Sequence, residues 1–407
     1  MTKISGYKCV GCEKELNAAY TCQSCGGNIE VVYDYERIKK TLSREALEAN
    51  HDRSIWRYLD ILPLESDKYV SPLFLGSAPL YKSRKLGNML GINNLYLKDD
   101  TRNPSASFKD RASAIVVARA LEQGETIVTG ASTGNAASSL ACLAAAQGLK
   151  TIIFVPQTAP QAKITQLLVF GATVITVKGT YDQAFDLCLL ASKEYGWYCR
   201  NTGFNPFTRE GKKTCSFEII EQLGFRSPDK VIIPTGDGNI LTGIWKGFLD
   251  FYRLGIIDKL PAMVAVQAQE SCSIKNALES DLVIRPVSGR TIADSIGVSV
   301  PRDGVAAVKA LKESRGFAIS VSDQQILDAI PLLARTEGLF AEPAAAASVA
   351  GLKKAMEEGR IKPDETVVAL ITGNGLKDIA SAIKSVGQPY LIDPTAEDLK
   401  RIVHKLI

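Results

Sequence analysis

The chain has 407 residues, with 48 lysines and arginines against 44 aspartates and glutamates, a formal net charge of +4. A chain this long can bury a large core in roughly two or three domains, and so small a net charge is no polybasic footprint for nucleic acid. Only two histidines, His51 and His404, stand beside nine cysteines, which argues against chemistry built on paired imidazoles.

The first residues, Met1 to Ser5, lack an apolar core of signal-peptide length, and no stretch reaches the roughly 20 apolar residues that span a bilayer. A cytoplasmic protein without a membrane partner is expected. Cysteines there serve as ligands or small buried hydrophobes rather than disulfides. Four of them form two pairs, Cys9-x-x-Cys12 and Cys22-x-x-Cys25. Each pair can present two thiolates on a knuckle, and two knuckles complete a structural four-thiolate zinc site. Four reduced thiols without metal are the alternative. Cys142, Cys188, Cys199, Cys215 and Cys272 read as packing residues.

Residues 34–75 are mixed and charged and read as an arm, with a helix near Glu36–Asn50. From about Leu95 short apolar runs alternate with helical stretches. Strands are expected at Thr126–Thr129, Thr151–Val155, Thr173–Val177, Val231–Ile233, Met263–Val266 and Thr366–Ile371. Helices are expected at Asn135–Gln147, near Gln161–Phe170 and near Tyr181–Tyr195. β-Branched runs alternating with helices indicate an α/β protein with parallel sheets covered on both faces.

In open parallel sheets, ligands bind where strand C-termini meet helix N-termini. Four segments have that position. In Asn103-Pro-Ser-Ala-Ser-Phe-Lys109-Asp-Arg111, Lys109 sits at a helix start, where the helix dipole lowers an ammonium pKa, as a Schiff-base lysine needs. A solvated lysine on a surface helix is the plain alternative. Gly130-Ala-Ser-Thr-Gly-Asn135 can bring backbone N–H groups, Ser132, Thr133 and Asn135 to an anion. Pro234-Thr-Gly-Asp-Gly-Asn-Ile-Leu-Thr-Gly243 is a phosphate cradle by position and composition, matching neither the Walker nor the dinucleotide pattern. Its Asp237 repels phosphate unless it turns away onto backbone N–H groups. After the last strand, Thr372 can offer a hydroxyl to a ring nitrogen.

A lysine at a helix start, a small-residue anion loop and a separate phosphate cradle suit pyridoxal phosphate. Ser107-Phe-Lys109-Asp-Arg111, Ser132-Thr-Gly-Asn135, Gly236–Gly243, Phe340-Ala-Glu-Pro343 and Thr372-Gly-Asn-Gly-Leu-Lys-Asp378 resemble, in order and spacing, the motifs of the threonine synthases. These are pyridoxal phosphate enzymes of the tryptophan-synthase-β type, fold type II. The resemblance covers roughly residues 70–385, and five ordered motifs are far more specific than one.

It implies two doubly wound open-sheet domains behind a zinc-ribbon-like segment. The expected division is ribbon 1–33, arm 34–75, catalytic body 76–385 and tail 386–407, with the smaller body domain over roughly 110–210. It also implies a homodimer that converts O-phosphohomoserine and water to threonine and phosphate. Lys109 would anchor the cofactor and then act as base and acid. Asn135 would bond the cofactor's phenolic oxygen, and Gly236, Asp237, Gly238, Asn239 and Ile240 its phosphate. Thr372 would face the pyridine nitrogen. Ser132 and Thr133 would hold the substrate carboxylate, with Asn205 and Arg209 also at the substrate.

Two positions depart from the family pattern. Ala136 stands where a threonine commonly binds the substrate phosphate. Thr208 stands where an arginine commonly does, with Arg209 one residue later; Lys212 and Lys213 are alternative cations. These departures leave room for a β-replacing or eliminating relative, acting like a cysteate synthase on phosphoserine or like a serine/threonine dehydratase. A zinc-ribbon binding module on an inactive body is the other class. Few basic residues near the ribbon and the retention of Lys109, Asn135 and Thr372 speak against it.

Overall fold

The β-branched runs of the sequence assemble into two largely parallel sheets, and the N-terminal segment adds a small antiparallel one. A computed structural model describes residues 3–406 apart from Ala18 and Pro160. The expectations that touch Met1, Thr2 and the His404 side chain lie outside the described residues.

The strands, in chain order, are β1 (Ile4–Cys9), β2 (Glu15–Leu16), β3 (Ile29–Tyr33), β4 (Leu80–Lys82) and β5 (Asn94–Asp99). They continue with β6 (Ile127–Ala131), β7 (Lys150–Pro156), β8 (Thr173–Val177), β9 (Tyr198–Cys199) and β10 (Lys230–Pro234). The last are β11 (Ala262–Ala268), β12 (Phe317–Val321) and β13 (Thr366–Ile371). The large sheet has the order β12-β11-β10-β13-β5-β4, and the smaller one β8-β7-β6-β9. All pairings in these two sheets are parallel except that of β4 with β5.

Alternate residues of one strand enter different cores. Val231 and Ile233 of β10 join one apolar cluster and Ile232 the cluster on the other face. In β7, Ile153 and Val155 separate from Ile152 and Phe154 in the same way. A strand buried on both faces has no polar face, so it reads as an unbroken apolar run. Each such Val or Ile contributes roughly 1.5–3 kcal/mol of burial.

Both sheets reverse their strand order once. The chain runs outward from β10 through β11 and β12, then returns to β13 on the other side of β10. In the small sheet it runs from β6 through β7 to β8, then returns to β9 beside β6. At such a switch the flanking loops diverge and leave a crevice for ligand.

Two local expectations need correction. The single helix at 36–50 is two, Tyr35–Ile38 and Arg44–Ala49, because Ser43 accepts the Ala46 N–H and starts the second. Cys272 is not buried: it is half-exposed and donates to the Gln269 carbonyl. Cys142, Cys188, Cys199 and Cys215 are buried. The tail carries a helix, Ala396–Leu406. Among the described residues no helix is long and apolar enough to cross a membrane.

β1 pairs antiparallel with β2 and β3 to form the N-terminal ribbon. Its four cysteines bring their sulfurs within 4.8 Å of one another. The ribbon is docked onto the body by Lys246, which donates to the Val31 carbonyl at 2.7 Å, and by Arg209, which donates to the carbonyl of Ile29.

Candidate active site

Lys109 opens the helix Lys109–Glu122. The loop before it is held from inside: Asp110 accepts from the Ser105 backbone N–H at 2.7 Å and from its hydroxyl. Ala106 takes a positive φ of 58° in that loop. The loop is laced to the segment after β13. The Phe108 N–H donates to the Thr372 carbonyl at 2.9 Å, and the Asn374 N–H to the Ala106 carbonyl at 3.1 Å. The Glu342 N–H in turn donates to the Gly373 carbonyl at 3.0 Å. Three segments far apart in sequence thus form one rigid wall.

The wall faces a cavity of about 1110 Å³ at the C-terminal ends of both sheets. Lys109, Ser132, Thr133, Asn135, residues 236–240 and Thr372 all line it. Burial, followed by the positive charge of Arg200, lowers the Lys109 amine to about 8, with Glu342 and Asp237 opposing. The direction is the one expected from the sequence. Burial is the principal cause.

Two long helices open on the cavity without a side-chain cap. Asn135–Ala146 begins at Gly134 and Asn239–Arg253 at Gly238. Their first-turn N–H groups are therefore available to anions. Gly238 has φ 87°, and an added Cβ would meet the Asp303 carbonyl oxygen at 3.0 Å. At Gly236 an added Cβ would meet the Ile296 Cα at 2.8 Å, so the loop tolerates no side chain there. Asp237 does turn away: its Oδ1 accepts from the Arg302 N–H at 3.0 Å. The Asn239 side chain is also committed inward, donating to Asp303 at 2.8 Å and accepting from Lys212. The Asn135 amide donates to Glu342 Oε1 at 2.8 Å. A backbone cradle, a lysine of lowered basicity and a hydroxyl at Thr372 make a donor set that fits pyridoxal 5'-phosphate.

Asn205 and Arg209 are not among the residues that line the cavity. Asn205 is buried and spent on backbone, donating to Cys199 O at 2.8 Å and accepting from Phe207 N–H at 2.9 Å. The Arg209 guanidinium is paired with the buried Asp303 carboxylate, Nε to Oδ2 at 2.8 Å. Thr208 is fully buried and donates to the Asn205 carbonyl at 2.8 Å. Lys213 is sequestered by Asp250 and Glu210. Ala136 does line the cavity.

Two cavity residues, Arg200 and Glu342, carry no role in the sequence motifs, and Lys212 figures there only as an alternative cation. Burial, Lys109 and Arg200 push the Lys212 amine well down, and burial raises the Glu342 carboxyl. Glu342 belongs to the Phe340–Pro343 motif, which gave it a place without a task. The available signal for Arg200 was its place directly after the apolar run Trp197-Tyr198-Cys199.

Residues 72–373 match the family model for pyridoxal-phosphate dependent enzymes. The threonine synthase of Methanocaldococcus jannaschii is 42% identical over 405 residues, covering 98% of this chain and 99% of the relative. That of Methanosarcina acetivorans is 38% identical over 402 residues, covering 97% and 98%. Among solved structures, threonine deaminase isoform 2 of Solanum lycopersicum superposes with a TM-score of 0.66 at 23% identity, covering 76% of this chain and 88% of that one. Maize serine racemase superposes at 0.63 and 20% identity, covering 81% and 92%. These two likenesses establish the fold alone. On fold, site and sequence relatives together, the chain belongs to the pyridoxal-phosphate-dependent enzymes and, within them, to the threonine synthases.

Proposed function

We propose that the chain forms threonine and inorganic phosphate from O-phosphohomoserine and water, at the cavity headed by Lys109. The observation that carries this reading is the convergence of Lys109 with two uncapped helix N-termini on one cavity. Bound there, pyridoxal 5'-phosphate supplies the electron sink that acidifies protons on the substrate carbon chain.

The side chains then divide the work. Lys109 would anchor the cofactor and serve as the base for the substrate's Cα proton; an amine near 8 is a workable base at neutral pH. The N–H groups of residues 236–240 would hold the cofactor phosphate. Asn135 would serve the phenolic oxygen, and Thr372 would offer a neutral hydroxyl to the ring nitrogen, which would leave that nitrogen unprotonated. Ser132, Thr133 and the helix they precede hold the substrate carboxylate. The catalytic body spans residues 76–385, with the smaller domain over roughly 110–210 around the small sheet.

Cys9, Cys12, Cys22 and Cys25 bind a structural zinc, supported by four sulfurs gathered within 4.8 Å and by the paired spacing of the cysteines. The protein works in the cytoplasm and, as the family resemblance implies, as a homodimer.

Phosphate release from O-phosphohomoserine and from O-phosphoserine, with keto-acid release from serine and threonine, tests the reading. Equal amounts of threonine and phosphate from O-phosphohomoserine are expected. Preferred turnover of O-phosphoserine, or keto-acid as the main product, would overturn it.

A further inference from the structure

Arg200 follows β9, at the strand-order switch of the small sheet, and its own N–H is fixed on the Thr129 carbonyl at 2.8 Å. The residue is 2% exposed yet lines the cavity. Its Nη1 donates to Thr202 Oγ1 at 2.6 Å, and its Nε lies 3.5 Å from Ser113 Oγ. Its Nη2 is buried with no partner among the described residues.

Most other buried cations are paired with carboxylates, whereas Lys212, fully buried at the same cavity, is spent on the Asn239 side-chain oxygen. Arg111 is paired with Asp100 and Glu218, Arg209 with Asp303, Lys213 with Asp250, and Lys98 with Glu218. Among the described residues, no carboxylate forms an ion pair with Arg200. A buried charge without a counterion is costly, and an incoming anion would relieve that cost. Burial lowers the guanidinium to about 10, partly opposed by Tyr181, Cys199 and, beyond ion-pair distance, Asp237 and Asp110, and it stays charged at neutral pH.

Under the proposed function, on which this inference rests, the cavity must hold three anionic groups: the cofactor phosphate, the substrate carboxylate and the substrate phosphate. Two uncapped helix N-termini serve the first two. The third has no backbone site left, and the arginine one residue past the expected position is locked on Asp303. We propose that Arg200 is the ligand of the substrate's phosphate monoester, set at the end of β9 rather than after the Asn205-Pro206 turn. Its planar fork suits a phosphate, and its side chain is already oriented by Thr202. Selection for a substrate bearing a side-chain phosphate then rests on this one guanidinium.

The test uses purified holoenzyme. Arg200→Gln should raise KM for O-phosphohomoserine by about 30-fold or more and abolish competitive inhibition by inorganic phosphate. Arg200→Lys keeps the charge but loses the fork, and should raise KM by about tenfold. Cofactor affinity, read from the absorbance of apoprotein titrated with pyridoxal phosphate, should stay within about twofold in both variants. If Arg200→Gln does not fold, Arg200→Lys decides by the same readouts. Unchanged KM and phosphate inhibition would overturn the proposal. So would a loss confined to cofactor affinity, which would place Arg200 on the cofactor phosphate instead. Binding of inorganic phosphate by calorimetry stays readable even if O-phosphohomoserine proves not to be the substrate. Phosphate bound by the wild type and lost in Arg200→Gln would then keep the site while the proposed function fails.

Discussion

The Asn28 side-chain amide, on the turn that leads into β3 of the ribbon, donates to the Asp303 carboxylate at 2.8 Å and to the Arg302 carbonyl at 2.7 Å. Asp303 is also the acceptor for Asn239 at 2.8 Å and for the Thr242 hydroxyl at 2.7 Å, both on the helix that begins at the phosphate cradle. Its own N–H holds the Asp237 carbonyl at 2.9 Å. The ribbon therefore reaches the cradle through the Arg302–Asp303 segment, with the Asp303 carboxylate as the shared acceptor.

Asn28→Ala should loosen that connection without touching the cavity. Loss of two half-buried hydrogen bonds costs about 1–3 kcal/mol. We expect a lower Tm and weaker cofactor retention, measured by the rate at which pyridoxal phosphate leaves the holoenzyme on dilution. Unchanged retention together with a lowered Tm would mean that the ribbon stabilises the body without steadying the cradle.

Metal removal should act along the same route. Elemental analysis of the purified protein should find one zinc per chain, and Cys12→Ser should lose it. Because Arg209 bonds both Asp303 and the ribbon carbonyl of Ile29, zinc loss should also speed cofactor release. A Cys12→Ser protein that keeps its zinc would refute the four-thiolate site.

The lowered basicity of Lys109 predicts a pH profile for cofactor loading. Only the neutral amine attacks the aldehyde. With a value near 8 instead of 10.5, the neutral fraction grows as pH rises and levels off above about 9. The rate of pyridoxal phosphate condensation with apoprotein, followed by absorbance, should rise with a midpoint near 8. A profile still climbing steeply at about pH 10 would show an unshifted lysine.

Glu218 anchors a buried charge network. It accepts from Arg111 Nη1 at 2.7 Å, from Nη2 at 2.8 Å and from Lys98 at 2.7 Å. Burial opposes its charge, but Arg111 and then Lys98 outweigh that and hold the carboxyl below its ordinary value of 4.5. A depressed carboxylate stabilises the fold above the unfolded value and loses that contribution as pH falls below it. Glu218→Gln should therefore flatten the acid limb of a urea-denaturation series below pH 4.5. It should also lower stability at neutral pH by about 3–5 kcal/mol, since it leaves Arg111 and Lys98 undercompensated.

The amino-acid sequence by itself determined the strands buried on both faces, because such strands must be continuous apolar runs. Thr366–Ile371 appears with those same bounds in the structure. Thr173–Val177 does too, an edge strand betrayed by its β-branched residues rather than by burial. The sequence also marked Lys109 and the glycine loop, because a helix entry and a backbone cradle are local properties of a few consecutive residues. Short or irregular elements carried no such signal: β9 has two residues, too few for a period, and β12 at the sheet edge escaped notice. Only the tertiary structure decided which charges are free. Arg209 looks available in sequence, yet it is consumed by Asp303, which lies 94 residues away. Arg200 draws no notice after a short strand, yet it faces the cavity without a carboxylate partner among the described residues. Pairing between groups so far apart along the chain is set by how the two sheets pack, and no local pattern of residues records it.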